Sequence, residues 1–133
     1  MIPRTVVGFL YHNNKLLIAR RSKHHTFLPG YYELPGGKVE EGEDLKDALK
    51  RELREELNVN VAVLESFHEF YYFVKGVKKL EIAFFVKLDD DIGNLKLSRE
   101  HDDLRWISAE EIEKYKISEG EIEAIKVGFR NLK

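Results

Sequence analysis

Hydrophobic and polar positions along this chain follow two periods, and the switches between them mark out its elements. Two largely apolar runs, residues 5–12 and 15–20, flank Asn13-Asn14, a pair that tolerates the positive φ angles of a tight turn, so the chain is predicted to begin with a β-hairpin. Between Ser22 and Gly37 the pattern breaks up around Pro29-Gly30 and Pro35-Gly36-Gly37, which predicts a loop holding a short strand at residues 32–34. From Asp44 the period becomes helical: Leu45, Ala48, Leu49, Leu53 and Leu57 recur by three and four, and Asn58 follows as a residue able to adopt the left-handed conformation that ends a helix. Residues 59–63 and 67–74 then read as strands, and Lys75-Gly76-Val77 as a turn. Leu80, Ile82, Phe84, Val86 and Leu88 alternate strictly, the clearest strand in the sequence, with Asp89-Asp90-Asp91 closing it. A short strand is expected at residues 104–107, a helix capped by Ser108 and running to about Tyr115, and a last amphipathic helix over residues 120–130. Strands joined by hairpins and strands separated by helices together predict an α/β (α+β) fold, a mixed sheet with helices packed on it.

Composition narrows the partners. The 133 residues, 43% hydrophobic, suffice for one core and predict a single domain spanning residues 1–133. A net charge of -2 with acids and bases interspersed argues against a long nucleic acid as partner. No run approaches the roughly 20 apolar residues of a membrane span, and Met-Ile-Pro-Arg-Thr lacks the regions of a signal peptide, so a cytoplasmic protein without a membrane partner is expected. The absence of cysteine excludes disulfides, thiolate metal sites and a cysteine nucleophile, leaving oxygen or imidazole to hold any metal.

The candidate chemistry lies at the end of the first helix. Glu52, Glu55 and Glu56 are related by i, i+3 and i+4, so their carboxylates project from one side. Like charges at this spacing repel by a few tenths of a kcal/mol per pair, which gives the helix no reason to keep them. A hard dication reverses that sign: magnesium, or manganese in its place, takes carboxylate and phosphate oxygens and retains waters, one of which can act as nucleophile. A cluster of this kind taken alone reads as a solvated helix face. The longer pattern says more: Gly37, five residues, Glu43, seven residues, then Arg51, Glu52, Leu53, any residue, Glu55 and Glu56. With each of the six singly specified residues at about 10% usage, chance produces such a match on the order of once in a million windows.

That spacing resembles the signature of the Nudix hydrolases, and the resemblance extends over nearly the whole chain, towards the MutT-like branch that hydrolyses nucleoside triphosphates to a monophosphate and pyrophosphate. It implies an α/β/α sandwich with helices on both faces of the sheet. It also implies metal binding by Glu52, Glu55, Glu56 and the Gly37 carbonyl, a brace formed by Glu43 and Arg51, and a geometric role for Gly36 and Gly37. Asn58-Val59 stands where the signature has glycine and an aliphatic residue; asparagine is the next best left-handed cap. In the same resemblance Arg21 falls where an arginine touches substrate phosphate, and Glu100 where some members carry a further metal-linked glutamate, with Asp102 and Asp103 competing for the place. Glu52 or Glu100 would be the general base. Trp106 reads as core rather than a base-stacking ring. Ser118 and Glu119 fall where MutT-like enzymes line the base pocket; the usual residue for oxidised guanine is asparagine, so a cytosine-type or broader preference stays open. The five histidines are expected to be incidental, since no two show zinc-ligand spacing on a helix. The expected partner is a small nucleotide and the expected state a monomer or homodimer. Rival readings are an ADP-ribose or dinucleoside polyphosphate pyrophosphatase and a non-catalytic nucleotide-binding module.

Overall fold

A computed structural model describes residues 1–89 and 91–132. Seven strands form a mixed sheet: β1 (Arg4–His12), β2 (Lys15–Arg21), β3 (Tyr32–Glu33), β4 (Gly36–Lys38), β5 (Val61–Val74), β6 (Val77–Leu88) and β7 (His101–Ile107). The strand β1 lies parallel to β6 and antiparallel to β4, and β6 carries β5 on its other edge. Where β1 turns into β2 the sheet continues through β2 to β3 on one side and β7 on the other, both antiparallel. The turn is built as the sequence requires, with Asn13 and Asn14 at φ 50° and 64°.

Alternation along the strands divides the core between two faces. Val6, Leu10, Leu17, Ile82, Phe84 and Val86 pack against the buried stripe Ala48, Leu49, Leu53 and Leu57 of α1 (Leu45–Leu57). On the other face Val7, Phe9, Ile18 and Ala83 meet Ile112 from a 3-10 helix (Ala109–Lys114) and Ile125 from α2 (Glu119–Arg130). Helices therefore cover both faces, as expected. Asp44 caps α1 by accepting from the amides of Lys46 and Asp47, and Asn58 ends it at φ 58° with its N–H on the Arg54 carbonyl. No helix among the described residues is long and apolar enough to cross a membrane.

Several boundaries differ from the sequence reading, each for a local reason. The two strands expected between residues 59 and 74 are one strand, β5; its pairing with β6 shifts register between Val63 and Ser66 and again before His68, so the irregular pattern marks bulges rather than a loop. Residues 36–38, read as loop, form β4: a Cβ on Gly36 would sit 1.9 Å from the Val6 carbonyl oxygen, so the glycine serves close strand approach. The strand expected from residue 104 begins at His101, where its backbone already pairs with Arg21 of β2, and its acids are matched by arginines, Asp102 with Arg20 and Asp103 with Arg105. The helix expected after Ser108 is 3-10, with Glu111 and Tyr115 amides returning to carbonyls three residues back. A further 3-10 turn, Ile92–Asn94, follows Asp91; Asp90 of the acidic stop lies outside the described residues.

Candidate active site

The loop from β4 into α1 is organised by one guanidinium. Arg51 donates from Nε (2.8 Å) and one terminal nitrogen (2.9 Å) to the two oxygens of Glu43, from that same terminal nitrogen to the Lys38 carbonyl (3.0 Å), and from the other to Glu52 (2.9 Å) and Glu55 (3.1 Å). Glu43 in turn accepts from the Glu40 amide at 3.0 Å, closing the turn that precedes the helix. The arginine beside it holds the Glu43 carboxyl well below the carboxylate range, at about 2. Bidentate geometry of this kind fixes direction as well as charge, so the loop is pinned against the last turns of α1. Gly37 completes the fit: a Cβ there would lie 2.3 Å from the Glu52 carboxyl carbon.

Beyond this brace opens a cavity of about 570 Å³, walled by Arg21, Gly36, Gly37 and Lys38, by Glu52 and Glu56 from α1, by Glu100 and His101, and by aromatic side chains of β5. Its acids face one another. Burial first, and then the charges of Glu52, Glu33 and Glu100, push the Glu56 carboxyl up to about 9, and one Glu56 oxygen is buried with no hydrogen-bond partner. Burial also raises Glu52, against the pull of Arg51. Buried carboxylates with an orphaned acceptor and mutual repulsion are the donor set a hard divalent cation satisfies. The residues present fit such an ion.

The structure places the expected residues unequally. Glu52, Glu56, Gly36, Gly37, Arg21, Glu100 and Ser118 reach the same cavity. Glu55 projects from the same helix but is half exposed, tied to Arg51, and stands outside the wall. Glu119, the first residue of α2, faces solvent, and the inward position belongs to Glu121 two residues on. Arg21 donates to the Phe27 carbonyl at 2.8 Å and pairs with Glu33 at 3.3 Å. Asp102 and Asp103 are engaged by Arg20, Arg105 and the Tyr32 hydroxyl, which leaves Glu100 alone of the three on the cavity. Trp106 packs against the α1-side core and His12, away from the cavity.

Two histidines are not incidental. His101 is buried, with Nε2 2.9 Å from a Glu33 oxygen and Nδ1 3.8 Å from Glu56, so it links β3 to the acidic end of α1. His25 lies 3.1 Å from the Glu100 carboxylate and 2.8 Å from its carbonyl; with His24 these form a group whose ligand-type atoms lie within 4.8 Å. Zinc-type spacing along a helix could not reveal them, because their partners lie far along the chain, Glu33 on β3, Glu56 on α1 and Glu100 in the loop before β7. Glu33, Glu81 and Glu121 were missed as well, although Glu81 carries a signal: it shares a strand face with Ala83 and Phe85, where an acid is out of pattern.

A profile of the NUDIX domain matches residues 1–127. The 8-oxo-dGTP diphosphatase of Buchnera aphidicola subsp. Schizaphis graminum is 38% identical over 73 residues, and the chain spans about half the length of that relative, 55%. The nucleoside triphosphatase NudI of Escherichia coli is 28% identical over 128 residues, 89% of this chain and 91% of its own. Among solved structures, a MutT protein from Methanosarcina mazei Go1 superposes with a TM-score of 0.85 at 25% identity, over 99% of this chain and 96% of that one. The E. coli ORF135 protein superposes at 0.77 with 29% identity, over 97% and 89%.

Proposed function

The chain belongs to the Nudix family, and from that premise we propose that it is a pyrophosphohydrolase acting, as one domain, on a nucleoside triphosphate, giving the monophosphate and pyrophosphate. The observation that carries the reading is the buried Glu56, its orphaned oxygen set beside Glu52 at the end of a helix braced by Glu43 and Arg51. Relatives named for 8-oxo-dGTP diphosphatase and nucleoside triphosphatase activity support a triphosphate substrate.

In this proposal Glu52, Glu56 and the Gly37 carbonyl hold magnesium, with Glu55 and Glu100 at the margin of the set. The metal, when bound, neutralises phosphate charge and makes a bound water a stronger nucleophile at neutral pH. The protein supplies the rest. Arg21, fixed by Phe27 and Glu33, meets a phosphate oxygen, and the glycines of β4 allow the chain to approach it closely. Water adds at phosphorus, the α–β anhydride bond breaks, and the proton leaves to a carboxylate. Glu100 is better placed to take it than Glu52, because Arg51 already occupies a Glu52 oxygen while Glu100 stands at the cavity mouth beside His25.

The test is a panel of normal and oxidised nucleoside triphosphates, ADP-ribose and diadenosine tetraphosphate, assayed for pyrophosphate and phosphate with and without magnesium. Magnesium-dependent pyrophosphate release from triphosphates is expected. Turnover confined to ADP-ribose or the dinucleotide would replace the substrate class, and binding without turnover of any compound would leave a nucleotide-binding module.

A further inference from the structure

Four side chains from four elements form a chain along the cavity wall. Arg21 ends β2, Glu33 lies on β3, His101 begins β7 and Glu56 belongs to the last turn of α1. Arg21 reaches both oxygens of Glu33, at 3.3 and 3.4 Å; a Glu33 oxygen lies 2.9 Å from Nε2 of His101; and Nδ1 of the same ring lies 3.8 Å from Glu56. The sheet builds this contact. Between Arg20 and Arg21 the pairing of β2 with β7 slips by one residue, so that His101 rather than Asp102 stands opposite Arg21, and His101 is buried while Asp102 is exposed.

The middle of the chain is fixed and its far end is open. A carboxylate held by an arginine only accepts, so Nε2 donates to Glu33, which orients the imidazole and leaves Nδ1 toward α1. That Nδ1 and the Glu56 oxygen 3.8 Å from it are both buried, and neither has a hydrogen-bond partner among the described residues. Two buried polar atoms without partners, set face to face, are costly to leave apart. A hydrogen bond needs them only roughly 0.6 to 1 Å closer. One proton between them makes that bond, whichever atom carries it, and it engages one Glu56 oxygen while leaving the other to coordinate.

Resting on the reading above, in which Arg21 meets phosphate and Glu56 holds the metal, we propose that Glu33 and His101 are positioning residues that tie Glu56 to Arg21, so that the arginine strengthens metal binding even when no nucleotide is present. Plain electrostatics gives the opposite sign. A cation at Arg21 repels a dication in the same cavity, so removing its charge tightens metal binding if charge is all that counts. If the chain acts by position, removing Arg21 slackens Glu33 and His101, and metal binding weakens.

Manganese binding to the nucleotide-free protein, followed by electron paramagnetic resonance, reads that sign. Wild type, Arg21→Gln, His101→Gln, His101→Asn and the double variant Arg21→Gln/His101→Gln would be compared, with folding checked by circular dichroism. The two substitutions at His101 cut the chain at different ends: a glutamine amide reaches the place of Nε2 and keeps the Glu33 contact, whereas an asparagine amide reaches the place of Nδ1 and keeps the Glu56 side. Each single variant is expected to bind manganese about 10- to 100-fold more weakly. Once His101→Gln has cut the chain, Arg21→Gln is expected to change affinity by no more than about threefold. Manganese bound equally or more tightly by Arg21→Gln, undiminished affinity in both His101 variants, or losses that multiply in the double variant overturns the assignment, as does a wild type that binds no manganese without nucleotide. Should the His101 variants fail to fold, the sign for Arg21→Gln decides alone. Hydrolysis of the triphosphate panel, followed in parallel, separates the two readings. Weakened manganese binding by Arg21→Gln, in a protein that turns over no triphosphate, leaves the chain standing and removes the hydrolase; turnover by the wild type, with manganese bound more tightly by Arg21→Gln, removes the chain alone.

Discussion

At the scale of single residues the site is an arrangement of opposed charges, and Arg51 is its pivot. Five of its hydrogen bonds run to Glu43, Glu52, Glu55 and the Lys38 carbonyl. Replacing it with alanine frees the loop and two of the acids together, so metal affinity is expected to fall by roughly 10- to 100-fold, the usual cost of losing an outer-shell partner; unchanged magnesium dependence of turnover would contradict that. Glu43 gives a pH signature. Its folded carboxyl sits at about 2 against an ordinary 4.5, so its contribution to stability is complete above 4.5 and is lost as the pH falls toward 2. The melting temperature of the wild type is therefore expected to drop more steeply across that interval than that of Glu43→Gln, and parallel curves would refute the brace as a source of acid stability. The Glu43–Arg51 pair was legible in the sequence because both residues lie within one signature. The partnership of His101 with Glu33 and Glu56 was not, since its members come from β7, β3 and α1 and no local spacing joins them.

Elements were legible where one period ran uninterrupted. The leucine stripe of α1 and the alternation of β6 both appear as read, and Asn58 takes the left-handed cap. That cap can be checked: Asn58→Ala should cost about 1 kcal/mol in denaturant unfolding because of its positive φ, whereas Asn58→Gly should be neutral or slightly stabilising, with activity unaffected by either. Equal stability of the two variants would remove the argument. The period failed at β5, where bulges break the alternation, and at β4, where residues read as loop form a strand whose two glycines have the geometric role expected of them, close packing. Gly37 shows what that packing does for function. A methyl group there has to displace the Glu52 carboxyl, so Gly37→Ala is expected to lose turnover by about 10-fold or more while remaining folded. Full activity would show that Glu52 need not lie where it does.

Across the whole molecule, the two faces of the sheet have different tasks. One packs α1 and so fixes the direction of the glutamate helix; the other packs α2 and brings Glu121 against β6. The cavity lies where both contribute, and the sequence could not forecast that meeting, because it depends on β1 running parallel to β6 and on β4 pairing beside it. The mixed sheet, the helices on both faces and the family were readable from pattern and signature; the far end of the cavity came only with the topology. The central claim is that Glu52 and Glu56 hold a divalent cation. It is tested most directly by manganese binding, followed by electron paramagnetic resonance in the presence of a non-hydrolysable nucleoside triphosphate analogue, for the wild type, Glu52→Gln and Glu56→Gln. The wild type is expected to bind manganese and to release it to excess magnesium, and each variant to bind at least about 10-fold more weakly; variants that bind manganese as tightly as the wild type would place the metal elsewhere and contradict the account.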